Sequence, residues 1–113
     1  MLRVSFLGTG GSIPQTKRSP SAVMVEREGD HLLFDCGEGT QRQMMRYGTG
    51  FSVDDIFLTH MHGDHILGLP GLSQTWTFQG RDKPIRVYCP KGTAGTVRDC
   101  FKLADHRPPY DLR

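Results

Sequence analysis

Thr59-His60-Met61-His62-Gly63-Asp64-His65 follows directly on the apolar run Ile56-Phe57-Leu58. Four potential metal ligands, His60, His62, Asp64 and His65, fall within six residues. If Ile56 to Thr59 is a buried strand, His60 and His62 leave its end on the same side, because side chains alternate with period two. They can share one metal ion. Gly63 allows a sharp turn, so that Asp64 and His65 project back toward the same point from a tight loop or the first turn of a helix and can hold a second ion.

The ligand types narrow the metal. Imidazole and carboxylate without a neighbouring thiolate suit zinc, with manganese or iron as alternatives, and disfavour both a cysteine-rich structural zinc site and an all-oxygen calcium loop. A single histidine at a strand end is usually just a polar residue, but that account does not extend to four ligands at this spacing.

A chain of 113 residues is one domain at most, and domains of this size bury well over half of their unfolded-chain surface. Hydrophobic content of 36% and charged content of 23% are those of a soluble globular protein. There is no apolar run of bilayer-spanning length and no signal-peptide pattern after Met1, so the expected location is cytoplasmic, with no membrane partner. Cys36, Cys89 and Cys100 cannot all pair within one chain and show no C-x-x-C spacing, which suits reduced thiols. The formal charge of +2 neither announces nor excludes nucleic acid.

Around the central stretch, Leu2 to Leu7 alternates as a half-buried strand stopped by Gly8-Thr9-Gly10-Gly11, a glycine cluster that matches neither nucleotide-binding fingerprint. Ser12 to Pro20 is a loop carrying Lys17 and Arg18. Ser21 to Arg27 and His31 to Asp35 form a hairpin about Glu28-Gly29-Asp30, with His31 at the surface. Thr40 to Tyr47 is a helix with an N-cap residue at its start, Met44 and Met45 on its apolar side and Gly48 as its stop. Ile66 to about Thr77 is a second helix, capped by Asp64 and interrupted or restarted near Pro70, with Trp76 in the core. Ile85 to Tyr88 is a strand, and Thr93 to Leu103 a helix with Val97, Cys100, Phe101 and Leu103 on one side. Residues 104–113 contain Pro108-Pro109 and no periodicity, and are expected to fray. The fold class is therefore α/β, a mixed sheet with helices on one face.

The T-H-x-H-x-D-H run of residues 59–65 is similar to the signature of metallo-beta-lactamase-type hydrolases. Phe6-Leu7-Gly8-Thr9-Gly10, Leu33-Phe34-Asp35-Cys36-Gly37-Glu38-Gly39-Thr40-Gln41 and Gly68-Leu69-Pro70-Gly71-Leu72 extend the likeness to ribonuclease Z, the tRNA 3′-processing endonuclease. The resemblance implies that residues 1–103 are the first half of a four-layer αββα sandwich. It implies a zinc-dependent endoribonuclease that removes 3′ trailers from precursor tRNA, with two zinc ions per complete site, manganese being possible. His60 and His62 would bind one ion and Asp64 and His65 the other, while Asp64 also serves as general base. Asp35 would support the site from behind the ligands, and Lys17 and Arg18 would touch RNA phosphates. A homodimer is also implied.

A tetrahedral zinc takes three protein ligands plus solvent, whereas this chain supplies two per ion. The expectation is thus a truncated enzyme of doubtful activity. Rival readings are a small-molecule phosphodiesterase or thioesterase of the same superfamily, or a non-catalytic metal-binding or dimerisation module.

Overall fold

The computed structural model describes residues 1–10 and 20–113. Lys17 and Arg18 lie outside them. Five strands form one mixed sheet in the order β1(Leu2–Gly8), β2(Ala22–Arg27), β3(Asp30–Phe34), β4(Asp55–Phe57), β5(Arg86–Tyr88). The first three pair antiparallel, joined between β2 and β3 by the tight turn at Glu28 and Gly29. The last two add in parallel, because helical crossovers separate them from their neighbours in sequence. Mixed sheet and α/β class both follow the sequence expectation.

Registration sorts the side chains into two faces. Ser5, Met24, Leu33, Ile56 and Val87 lie in one cross-strand row, and the adjacent row carries Phe6, Val23, Phe34, Phe57 and Tyr88. The first row faces the helices, and Met24, Leu33 and Ile56 are fully buried in the core with Leu7, Leu69, Leu72 and Trp76. On the opposite face Phe34 stacks on Phe57 at 4.9 Å and Phe57 on Tyr88 at 4.8 Å, while Leu2, Val4 and Phe6 are largely exposed.

Helix α1(Thr40–Tyr47) starts from Gly39 in the left-handed region (φ 82°), not from a capping side chain. Thr40 is its first residue, and its hydroxyl donates to the Gly37 carbonyl at 2.7 Å. Gly48 ends the helix as expected, its N–H turned back on Met44 and Met45. The second helical segment divides at Gly68 into α2(Gly63–Ile66) and α3(Leu69–Phe78). Asp64 is not its cap: His62 occupies that position, no side chain caps the turn, and Asp64 sits inside the first turn. In α4(Ala94–Lys102) Val97 and Phe101 are buried, whereas Leu103 falls in the 3₁₀ turn Leu103–Asp105 and is exposed.

The C-terminal tail differs from its expectation. Proline removes helix periodicity but does not prevent docking, and the tail runs parallel to the start of β5 through a single bridge between Ile85 and Leu112. Ile85 N–H donates to the Asp111 carbonyl, and Val87 N–H to that of Arg113. Tyr110 is buried edge-on to Trp76, its hydroxyl donating to the Ser73 carbonyl at 2.6 Å. The Arg81 guanidinium covers both rings. His106 is held between the Phe101 carbonyl and the Thr77 hydroxyl, each at 2.6 Å.

Candidate metal centre

The parallel pairing of β3 with β4 aligns Phe34 with Phe57, so the residues that follow each strand, Asp35 and Leu58-Thr59, emerge side by side at the C-terminal edge of the sheet. This is where open α/β sheets place their ligands. Asp35 is 5% exposed and has φ 63°, a left-handed conformation that Asp tolerates better than most residues. Its N–H donates to the Phe57 carbonyl at 2.8 Å, which holds the turn.

The Asp35 carboxylate is saturated with donors. Thr59 N–H reaches Oδ1 at 2.8 Å, the Thr59 hydroxyl donates to Oδ2 at 2.8 Å, and His65 Nδ1 lies 2.9 Å from Oδ2. A carboxylate can only accept, so the proton between it and His65 sits on Nδ1, and in the neutral ring the lone pair is then on Nε2. That lone pair faces Asp64 Oδ2 at 3.3 Å. With the neutral ring, the two would be acceptors that a cation between them could bridge. Donors bound to zinc at about 2.0–2.1 Å in tetrahedral array lie roughly 3.3–3.4 Å apart, so this pair fits a shared ion.

His60 and His62 stand on one side of the loop, their rings 6.0 Å apart and tilted by 22°, and the His60 ring lies 5.0 Å from that of His65. Among the described residues no three His, Cys, Asp or Glu side chains converge on one ligating point.

Backbone contacts clamp the loop to the segment after β3. Cys36 N–H donates to the His65 carbonyl and Gly68 N–H to the Cys36 carbonyl, both at 2.8 Å. The approach leaves no room for side chains: a Cβ on Gly37 would meet the Asp64 carbonyl at 2.6 Å, and one on Gly68 the Gly37 carbonyl at 2.2 Å. Cys36 is fully buried here and burial pushes its thiol up to about 12, as befits a packing residue.

His31 is not a free surface histidine. It sits at the other end of β3, within 3.3 Å of Glu26 and 3.9 Å of Asp54. Thr59, which the sequence reading passed over, is the residue that joins the acid to the loop. Its hydroxyl also lies 3.1 Å from His60 Nδ1. Two strand ends in parallel register, one closing on Asp and the other on Thr-His, were the available signal.

The family model described as anti-Pycsar protein Apyc1 matches residues 2–101. Ribonuclease Z of Halorubrum lacusprofundi is 56% identical over 112 residues, covering 99% of this chain and 36% of that protein. Ribonuclease Z of Haloferax volcanii is 54% identical over 111 residues, covering 98% and 35%. The crystal structure of the short form of human tRNase Z superposes with a TM-score of 0.88 at 40% identity, over 99% of this chain and 44% of that one. The chain thus spans about a third of the length of the curated relatives it matches. A metallo-beta-lactamase fold protein from Bacillus subtilis, YhfI, shares the fold alone, with a TM-score of 0.79 at 20% identity. The architecture is that of the first half of a metallo-beta-lactamase-type sandwich, in agreement with the sequence expectation.

Proposed function

Since the chain belongs to the family described as anti-Pycsar protein Apyc1 and is similar to ribonuclease Z along nearly its whole length, we propose that it carries the metal-binding portion of a zinc-dependent endoribonuclease that removes 3′ trailers from precursor tRNA. The observation that carries this reading is His65, fixed by Asp35 on Nδ1 and facing Asp64 across Nε2. His60 and His62 would hold one ion and Asp64 and His65 a second, with Asp35 supporting them.

Bound zinc supplies Lewis acidity that lowers the pKa of water and offsets phosphate charge, and manganese can substitute. The chain's own residues set the geometry. Asp35 keeps the His65 lone pair outward, the clamp at Cys36 and Gly68 fixes the loop, and Asp64 accepts the proton of the attacking water. Residues 1–103 act as the first half of the catalytic domain, and the remaining ligands and the general acid would correspond to the part of the curated relatives that this chain does not span. In this reading the assembled enzyme is a cytoplasmic homodimer whose RNA contacts include Lys17 and Arg18.

The test is an exchange. This chain replaces the matching segment of Haloferax volcanii ribonuclease Z, to which it is 54% identical, and the chimera is assayed on a precursor tRNA with a 3′ trailer. Cleavage that is lost in His62→Ala and Asp64→Ala supports the reading. A folded chimera that hydrolyses small phosphodiesters but leaves the trailer intact refutes the tRNA assignment. Trailer removal at normal rates by the 113-residue chain alone refutes the need for further sequence.

A further inference from the structure

The metal-site reading leaves His60 and His62 as equals, yet the structure holds them differently. His62 has no side-chain hydrogen bond among those of the described residues, whereas His60 has one, from Nδ1 to the Thr59 hydroxyl at 3.1 Å. Its polarity follows from counting protons. A threonine hydroxyl has one proton and two lone pairs. Asp35 Oδ2, at 2.8 Å, is an obligate acceptor and takes that proton. Were the proton turned to His60 instead, an oxygen lone pair would face a carboxylate at 2.8 Å. The Thr59 oxygen therefore accepts from His60, which places the proton on Nδ1 and the free lone pair on Nε2.

Thr59 is itself anchored twice. Its N–H holds Asp35 Oδ1 while its hydroxyl reaches both carboxylate oxygens, at 2.8 and 3.1 Å. Asp35 is buried and already bound to His65. One acid thus faces two histidines, His65 directly and His60 through a hydroxyl relay. Partners of this kind fix the tautomer of a metal-binding imidazole.

The geometry points to Thr59 as a positioning residue that carries the orienting hold of Asp35 across to His60, so that a single buried acid presets donors for both ions. This rests on the metal-site reading for its consequence, though not for its geometry. A branched, isosteric valine keeps the Thr59 N–H bond to Asp35 and removes the relay, together with the longer contact of the hydroxyl to His65 Nδ1 at 3.4 Å. His65 keeps its own bond to Asp35 in that variant. Thr59 is exposed, so valine meets no packing obstacle, and serine restores the hydroxyl.

The experiment compares the metal-stripped wild-type chain with Thr59→Val and Thr59→Ser by long-range proton–nitrogen correlation of the imidazole rings, above the histidine titration range. Wild type and Thr59→Ser should show His60 protonated on Nδ1, and Thr59→Val should lose that tautomer at His60 while His31, His62 and His106 are unmoved. His60 unchanged in Thr59→Val, or all five rings shifting together, overturns the proposal. Zinc competition against a chromophoric chelator is the second readout. Thr59→Val should bind about tenfold more weakly and Thr59→Ser within about twofold of wild type, the range typical of partners behind a ligand. Equal affinity in Thr59→Val also overturns the positioning role. Failure of the wild-type chain to bind zinc overturns the metal reading instead, and the ring spectra still decide the relay.

Discussion

Replacing Gly68 by alanine tests the clamp between the metal loop and the segment after β3. Gly68 has ordinary helical dihedrals, φ −81° and ψ −13°, so alanine meets no backbone penalty of its own. The obstacle is steric. The new Cβ would lie 2.2 Å from the Gly37 carbonyl oxygen and 3.0 Å from that of Cys36, well over about 1 Å inside ordinary van der Waals contact at the first of them. Both obstacles are backbone, so no side chain can swing away. Relief requires α3 to move off the segment, which stretches the Gly68–Cys36 and Cys36–His65 bonds. Overpacking of about 1–3 kcal/mol with loss of a bond worth about 1 kcal/mol gives a cost of about 2–4 kcal/mol. In urea this lowers the midpoint by roughly 1–2 M at an m-value usual for small domains. Gly95→Ala is the control: its Cβ enters open space within α4, and the gain in helix propensity is up to about 1 kcal/mol. Because Cys36 N–H holds the His65 carbonyl, zinc affinity should fall in Gly68→Ala and stay constant in Gly95→Ala. A Gly68→Ala midpoint equal to or above wild type refutes the clamp.

Tyr110→Phe removes the donor to the buried Ser73 carbonyl and should lower unfolding stability by about 1 kcal/mol; no change would show that the tail is not docked. Cys36, its thiol pushed up to about 12 by burial, should resist maleimide in the folded chain at mildly alkaline pH while Cys89 reacts, with Cys100, also raised by burial, slower than Cys89. Burial pushes the Asp54 carboxyl up, but Lys83 and the His31 N–H outweigh it and the net direction is down. A lowered native pKa stabilises the fold above the ordinary carboxylate range and loses that contribution as pH falls through the native value. Asp54→Asn should therefore cost stability at neutral pH and flatten the acid limb of the unfolding profile, and parallel pH profiles would contradict the assignment.

Strand alternation from Leu2 to Leu7, the hairpin and the apolar run before the histidines were legible because period-two patterns report burial directly. Trp76 in the core and Gly48 as a helix stop followed from equally local rules. What escaped depends on partners distant in sequence. Thr40 reads as a cap until Gly39 is seen to adopt the left-handed conformation that starts the helix. The tail carries no periodicity, yet Tyr110 finds Trp76 and Ser73 across 34 and 37 positions. Asp64 looks like a cap because acids favour helix starts, but its carboxylate faces His65 instead. The run of imidazole and carboxylate side chains was legible at the site, and the Asp35–Thr59–His60 relay was not, since it exists only once β3 and β4 pair in parallel.

Zinc titration of the metal-stripped chain, followed through the ring nitrogens of its five histidines, tests the central claim most directly. The account predicts that His60, His62 and His65 respond, that His31 and His106 remain still as internal controls, and that Asp64→Ala abolishes the response at His65. Signals that stay fixed at all three loop histidines, or that move only at His31 or His106, would contradict it.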